Sequence, residues 1–493
     1  MNVLICIPCL VTGGTEIQTL NTVKALVMNG HKVIVACYFQ HSPYIVELYR
    51  RSGAEVILFS NDGKYLVGFR ALKCLYQNFQ RILHVYTPDV THVQYMAPGA
   101  MVILLLWLMG VKNIIATAHT AADIYKDLRL IHFLQRHILR AFTCITERAE
   151  RSFFGSSQLY TTEMVLGKRN HFTIYNALPA QMRCNVDANV DVDCLRDEDT
   201  QSVYDNVNEN NSQFTIDNSQ LTISSGAASL NPQPSSIDLN LSCQQDLDTN
   251  LDTFTHMQAC AALPDGSTVE TITDGTSAMS AAPSLWGPTR KSVGCDGENF
   301  CSPKESRLRV LRGEAPILGV VSRLEPIKGM DLVVPAFAEV LKKYPEVRLL
   351  VVGDGSLRAT MEQQAAEQGC ADRITWVGRQ PQEELARCYG QMDVVLMPSR
   401  SEGFGLTAIE AMANGCVVVA SEVGGLPEVV RDGVCGMLHR SEDVKDMAAK
   451  VCTLLGDNDL YKRLRIQSLY EVEKYSFERY AALVSNLYER LVD

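Results

Sequence analysis

Short runs of consecutive apolar residues punctuate both ends of this 493-residue chain, each followed by a turn and a stretch of helical periodicity. The first run, residues 3–7, reads as a strand. Val11-Thr12-Gly13-Gly14-Thr15-Glu16 follows, then a helical stretch to Met28 that Asn29-Gly30-His31 closes, then a second strand over 33–37. Strand, glycine turn, helix and strand in that order predict a βαβ unit, with Gly13-Gly14 at the first crossing. Asn113-Ile114-Ile115-Ala116-Thr117-Ala118-His119 predicts a further strand that ends on a histidine. The pattern repeats beyond residue 315, with buried strands predicted over 317–321, 349–352, 374–377 and 416–421.

The turns after these later strands carry the chemistry. Residues 317–321 run into Ser322-Arg323-Leu324-Glu325-Pro326-Ile327-Lys328-Gly329. A diphosphate in a cleft needs cations; Arg forks across two oxygens while Lys acts as a point charge. The segment 398–415, P-S-R-S-E-G-F-G-L-T-A-I-E-A-M-A-N-G, sets Glu402 and Glu410 around the turn Gly403-Phe404-Gly405 and a following helix from Leu406. Glycines let backbone N–H groups approach a ligand, and the helix presents its positive end there. Carboxylates accept hydrogen bonds from hydroxyls, which suits one to a sugar and the other to a ribose. Helical rise between the two would separate them by about 12 Å.

Two glutamates with seven residues between them resemble the E-x7-E signature of retaining glycosyltransferases with the GT-B fold, the family 4 (glycosyl transferases group 1) class. Arg323 to Gly329 resembles that family's G-R-L-x-x-x-K-G, and Gly353-Asp354-Gly355 its Rossmann-type glycine turn. Ile374-Thr375-Trp376-Val377-Gly378 resembles the strand and loop beside the donor base, and Gly424-Gly425-Leu426-Pro427-Glu428 completes the order. The resemblance implies that Arg323 and Lys328 hold the donor diphosphate with backbone N–H groups of Gly403, Phe404, Gly405 and Leu406. It also implies Glu410 on the ribose, Glu402 on the donor sugar, and Gly378 near the base. In the N-terminal half it assigns Gly14 to the glycine-rich loop opposite the diphosphate and His119 to the sugar. His92 is the rival histidine, with core packing its expected role. Ile174-Tyr175-Asn176-Ala177-Leu178-Pro179 resembles the I-P-N-G segment that ends the first domain, with Ala177 in place of glycine.

Composition changes the picture in the middle of the chain. Over 181–290 sixteen Asp or Glu face three Lys or Arg, so the formal net charge of −11 is carried there. Low hydrophobicity with high charge cannot offset chain entropy, and a disordered insert is expected over 181–312. Asp191-Val192-Asp193 and Asp246-Leu247-Asp248 inside it look like metal-binding D-x-D pairs, but neither follows an apolar strand. The sixteen cysteines are scattered, which suits reduced thiols, and Cys6-Ile7-Pro8-Cys9 lacks a second pair for zinc. Met1 to Leu10 has neither a charged n-region nor a cleavage site, so a cytoplasmic protein is expected.

Two stretches bear on membranes. Residues 101–109 are apolar but too short to span a bilayer, which predicts a buried helix. Over 126–142 helical spacing would gather Lys126, Arg129, Arg136 and Arg140 with Leu130 and Phe133 on one face. Ile131, Leu134, Ile138 and Phe142 would form the core stripe. Such a face suits peripheral contact with anionic lipid or a lipid-linked acceptor.

The expectation is therefore an α/β protein of the GT-B type. An acceptor-side Rossmann-like domain occupies 1–180 and a nucleotide-sugar domain 313–493, facing a cleft, and the last helix, about 477–491, packs back across the junction. The expected activity is retaining transfer of a sugar from a nucleotide-diphosphate sugar to an acceptor hydroxyl in polysaccharide or lipid-linked glycan synthesis. It needs neither cofactor nor metal, and nucleic acid is not a partner. The alternatives are a nucleotide-sugar-binding protein without turnover, a GT-B-fold nucleotide-sugar epimerase, and a dinucleotide-dependent oxidoreductase resting on Gly353-Asp354-Gly355.

Overall fold

The computed structural model describes residues 1–60, 68–125, 127–164, 170–179, 182 and 314–492. Met182 apart, the insert expected over 181–312, with both D-x-D pairs, lies outside the described residues, as does Lys126. All described residues belong to one of the chain's two units by contact, Met1–Cys184 with Cys260–Asp493.

The first lobe runs β1 (Asn2–Ile7), α1 (Gly14–Met28), β2 (Lys32–Cys37), α2 (Pro43–Arg51), β3 (Glu55–Leu58), α3 (Gly68–Tyr86), β4 (Val90–Gln94), α4 (Met96–Leu108), β5 (Ile114–Ala118), α5 (Arg129–His137), β6 (Ala141–Cys144), α6 (Glu147–Phe154) and β7 (His171–Thr173). Its seven strands are all parallel, in the order β3-β2-β1-β4-β5-β6-β7. The second lobe runs β8 (Ile317–Val321), α7 (Val333–Leu341), β9 (Arg348–Val352), α8 (Arg358–Glu367), β10 (Ile374–Gly378), α9 (Gln382–Tyr389), β11 (Val394–Met397), α10 (Leu406–Ala413), β12 (Val417–Ser421), α11 (Leu426–Val429) and β13 (Met437–His439). Its parallel sheet is ordered β10-β9-β8-β11-β12-β13. Helices α12 (Val444–Gly456), α13 (Asn458–Glu471) and α14 (Phe477–Val492) close the chain.

Parallel strands are covered on both faces, which is why they read as unbroken apolar runs. In β1, Val3, Ile5 and Ile7 enter one core while Leu4 and Cys6 enter the other, following the two-residue period of a strand. Strand order reverses direction between β1 and β4 in one lobe and between β8 and β11 in the other. Ligands of doubly wound sheets bind at such switch points, beyond the carboxyl ends of the strands.

Helix α14 belongs to the first lobe's core although it ends the chain. Val484, Leu487, Tyr488 and Leu491 are buried with residues of α1 and β1. Polar contacts fix its register: the Thr22 and Tyr480 hydroxyls lie 2.7 Å apart, Asn29 donates to Ser485 Oγ at 2.6 Å, and Tyr160 donates to Asn486 at 2.8 Å.

Three sequence readings need correction. The helix expected over 126–142 spans only Arg129–His137. The amides of Ile138 and Leu139 both return to the Leu134 carbonyl, and Arg140 N bonds Ile114 O, which feeds the chain into β6. Phe142 is therefore a strand residue, though buried like Ile131, Leu134 and Ile138. Residues 101–109 are not wholly buried: Val102, Ile103 and Leu106 face the core, while Met101, Trp107 and Leu108 are exposed. Helical rise does not span the two glutamates either, because α10 begins only at Leu406.

Candidate active site

The loops after β1, β5, β8 and β11 come together where the two switch points face each other. Gly13 caps α1 and Gly14 is its first residue. A Cβ built on Gly14 would lie 3.5 Å from Leu406 of the opposite lobe, and one built on Gly403 would lie 2.6 Å from the His119 carbonyl oxygen. Gly14, His119, Gly403 and Leu406 thus form one cross-lobe cluster. Any side chain at Gly403 would push the lobes apart. Gly405 has φ 106°, in the left-handed region, and its carbonyl accepts from Ala408 and Ile409 to start α10. The first amides of α10 have no intrahelical acceptor.

Lys328 Nζ donates to Glu402 Oε2 at 2.7 Å, joining the β8 loop to the β11 loop; both side chains are largely but not wholly buried. Arg323 is exposed and makes no ion pair among the described residues. Its loop rests on the glycine turn after β9. A Cβ at Gly353 would strike the Ser322 carbonyl and one at Gly355 the Leu324 carbonyl, at 1.8 and 2.5 Å. Leu324 N also bonds Asp354 O. These glycines admit the chain's own backbone, which removes the structural ground for a dinucleotide loop there. Gly378 ends β10 beside them, with its carbonyl bonded to Gly353 N at 2.9 Å.

Glu410 lies apart from this pair. It is buried on α10, and its two oxygens accept from the Tyr389 hydroxyl at 2.9 Å and the Gln382 amide at 3.1 Å, both on α9. Burial raises its carboxyl to about 7, against the pull of those two donors. Phe404 turns away from the cleft. Its buried ring packs edge-on to Tyr475 and against Tyr175, leaving only its backbone on the loop. Ala177 is also buried, its backbone bonded to Gln18 and Asn21 of α1.

His119 is buried and faces Tyr95 at a ring separation of 5.3 Å. One ring nitrogen, Nε2, pairs with Gln94 Oε1 at 2.7 Å; the other, Nδ1, has no partner. Burial lowers its pKa to about 3, so it is neutral. His92, the rival histidine, is also buried and hydrogen bonded to Tyr488 of α14 and Thr117 of β5.

Several neighbours escaped the sequence reading. Glu16, at the end of the quoted glycine segment, is buried beside Gly13 and accepts from the Tyr95 hydroxyl at 3.1 Å. Burial raises its pKa, while its own backbone, Tyr95 and the field of Arg323 from the other lobe pull it down. Tyr95 holds φ 62° at the end of β4, a strained conformation of the kind found at functional sites. Gln94 was detectable only as the residue two beyond His92, on the same face of a strand. Two contacts clasp the lobes at the rim: Arg379 donates to Thr12 Oγ1 at 2.6 Å, and Glu428 accepts from Glu147 N, at the start of α6, at 2.9 Å.

The description Glycosyltransferase Family 4 matches residues 12–159, and Glycosyl transferases group 1 matches 303–468; together they take in most of the chain. The chain belongs to the family 4, group 1 glycosyltransferases. Its fold is GT-B, with two Rossmann-like lobes flanking a cleft. The chain resembles D-inositol 3-phosphate glycosyltransferase of Nocardia farcinica, 39% identical over 169 residues, which are 33% of this chain and 38% of that protein. The Mycobacterium marinum protein of the same name is 44% identical over 153 residues, 30% of this chain and 32% of its own length. The match thus spans well under two thirds of these relatives. Among solved structures, Anabaena HepE in complex with UDP superposes with a TM-score of 0.62 at 14% identity, covering 99% of this chain and 100% of that one. Sucrose-phosphate synthase of Thermosynechococcus elongatus gives 0.60 at 18% identity, covering 100% and 99%. At such identities the likeness is one of fold. Among the described residues of this glycosyltransferase-family chain, no group of three His, Cys, Asp or Glu could hold a metal. No described helix is long and apolar enough to cross a membrane.

Proposed function

We propose that this protein transfers a sugar, with retention of anomeric configuration, from a nucleotide-diphosphate sugar to an acceptor hydroxyl in polysaccharide or lipid-linked glycan synthesis. The observation that carries the reading is the cross-lobe cluster of His119, Gly14, Gly403 and Leu406 beside the Lys328–Glu402 pair. The reading is supported by the loops these residues share: Lys328 reaches Glu402, and Gly403 next to it meets His119 across the lobes. Arg323 and Lys328 stabilise charge on the departing diphosphate, helped by the amides of 403–406 at the start of α10. Preorganised charge of this kind is commonly the largest catalytic term. Glu402, turned by Lys328, takes sugar hydroxyls, and neutral His119 lines the opposite wall. Glu410 receives the ribose hydroxyls in exchange for Gln382, and Gly378 leaves room beside the base.

In the reaction the bond from the anomeric carbon to the diphosphate oxygen breaks, and a bond to the acceptor oxygen forms on the same face. The acceptor proton passes to the released diphosphate. Because side-chain cations neutralise that group, activity is expected to persist in chelator. The domain limits 1–180 and 313–493 belong to the same reading. So does a peripheral site at the inner face of a membrane. It is supported by exposed Phe133 beside exposed Arg129, Arg136 and Arg140, and by exposed Trp107 and Leu108 on α4, which packs on α5.

A thermal-shift series with UDP, GDP, ADP and their sugars tests the reading. One nucleotide class should stabilise the wild type by ~2.7 kcal/mol at about 100 times its dissociation constant, and this should be lost in Lys328→Ala with Glu410→Ala. Stabilisation by NAD(P) alone would overturn it. Nucleotide-sugar binding with neither transfer nor sugar release would favour the binding protein, and a released, altered sugar the epimerase.

A further inference from the structure

A single polar chain crosses the first lobe's interior from β6 to His119, and its proton directions can be followed from one end. The Ala116 carbonyl can only accept, and it takes the Thr143 hydroxyl at 3.5 Å. Thr143 Oγ1 then accepts from Thr117, 2.6 Å away. Thr117 Oγ1 in turn accepts from His92 Nε2, also at 2.6 Å. With its proton on Nε2, His92 is left with an acceptor at Nδ1, facing the Tyr488 hydroxyl and the Gln94 amide nitrogen. That nitrogen lies against the edge of the ring, 3.4 Å from Nδ1 and 3.3 Å from Nε2, and donates to the one of the two that carries no proton. Gln94 therefore turns its amide nitrogen to His92 and its oxygen to His119, where Oε1 accepts from Nε2 at 2.7 Å. His119 Nδ1 remains a bare acceptor, and it is the ring atom without a partner. Both histidines, Gln94, Thr117, Thr143 and Tyr488 are buried, so no bulk water scrambles these directions.

The geometry points to Gln94 as the positioning residue that fixes the proton of His119 on Nε2, so that the cleft presents Nδ1 as an obligate hydrogen-bond acceptor for a hydroxyl of the donor sugar. This rests on the glycosyltransferase reading for the identity of the hydroxyl, but the proton placement does not. A buried acceptor selects for ligands that donate to it, because an analogue without the hydroxyl leaves it unpaired. The other titratable groups packed about His119 are His92 on β4, Tyr95 with Glu16 of α1 behind it, and Tyr488 of α14 beyond His92.

The test combines Gln94→Met, which removes both bonds, with Gln94→Glu, which keeps the acceptor but adds charge. Histidine 15N spectra, with His119 assigned through His119→Asn, should place the wild-type proton on Nε2 and show no titration above pH 5. Gln94→Glu should raise the His119 titration midpoint by more than one pH unit, since a carboxylate on Nε2–H favours imidazolium. Gln94→Met should not. Turnover of UDP-glucose and GDP-mannose is then followed by release of nucleoside diphosphate. Gln94→Met should lower kcat on the order of tenfold at every pH, as loss of an orienting partner does. Gln94→Glu should be impaired at pH values below its raised His119 midpoint and recover as pH rises through that midpoint and Nδ1 is freed. A wild-type proton on Nδ1, or a His119 titration unmoved by Gln94→Glu, overturns the assignment. If the wild type turns over neither sugar, the functional reading is at fault while the spectra still decide the role of Gln94. Should Gln94→Met fail to fold, the wild-type and Gln94→Glu spectra suffice.

Discussion

Lys328 and Glu402 lie 74 positions apart, yet the lysine ammonium sits 2.7 Å from a glutamate oxygen, because β8 and β11 are neighbours at the switch point of the second lobe. The contact ties the ammonium to the residue next to Gly403, the glycine that meets His119 across the lobes. Lys328→Ala should lower turnover by about 10²–10³-fold, the usual effect of losing one donor to a developing oxyanion. Release of nucleoside diphosphate from the donor checks this, with the melting temperature as a control for folding.

Glu410 should make stability fall as pH rises. Its folded pKa of about 7 lies above the ordinary value of 4.5, so the folded state holds the proton more tightly. Stability from this group is complete below about pH 4.5 and is lost as pH rises through about 7. Glu410→Gln should therefore be more stable than wild type at pH 8, by a few kcal/mol at most, and equal to it near pH 4.5. Urea unfolding at the two pH values measures this. Nucleotide affinity of the wild type should strengthen over the same rise.

Removal of the Glu428 carboxylate should loosen the lobes. The group accepts backbone amides at the start of α6, as a capping side chain would, but from the opposite lobe. Glu428→Ala should cost about 1 kcal/mol, the usual value of such a cap, in denaturant unfolding.

Helix α14 should behave as part of the first lobe. Leu487 is fully buried in that lobe's core. Leu487→Ala should destabilise by about 2–5 kcal/mol, transfer and cavity costs together, and should act on the unfolding of the first lobe. Hydrogen exchange resolved by segment would show protection lost in β1 and α1 before the second lobe.

Exposed Trp107, Leu108 and Phe133 should carry binding to anionic vesicles. Trp107→Ser with Leu108→Ser should reduce sedimentation with vesicles containing phosphatidylglycerol, and added salt should weaken wild-type binding. Equal binding of the variant would discard this face.

The order of strands and turns was legible because a parallel strand buried on both faces must be apolar at every position, so the runs at 3–7, 33–37 and 317–321 announce themselves. The turns that follow are short and carry their own glycines and charges, so Arg323, Lys328, Glu402 and Glu410 could be singled out from the chain. Periodicity failed where a short helix and a strand share one apolar rhythm, as in 126–142. What the tertiary structure alone decided was partnership. It paired Lys328 with Glu402, tied Glu410 to Tyr389, set Gly403 against His119, and ran Tyr488 of the last helix to His92. Each of these joins residues far apart in sequence, through strand order and the packing of two lobes, and local pattern contains no record of distance between such positions. Gln94 shows the limit most plainly: only its place two beyond His92 on a strand marks it, because its role is set by a histidine 25 residues away across a parallel ladder.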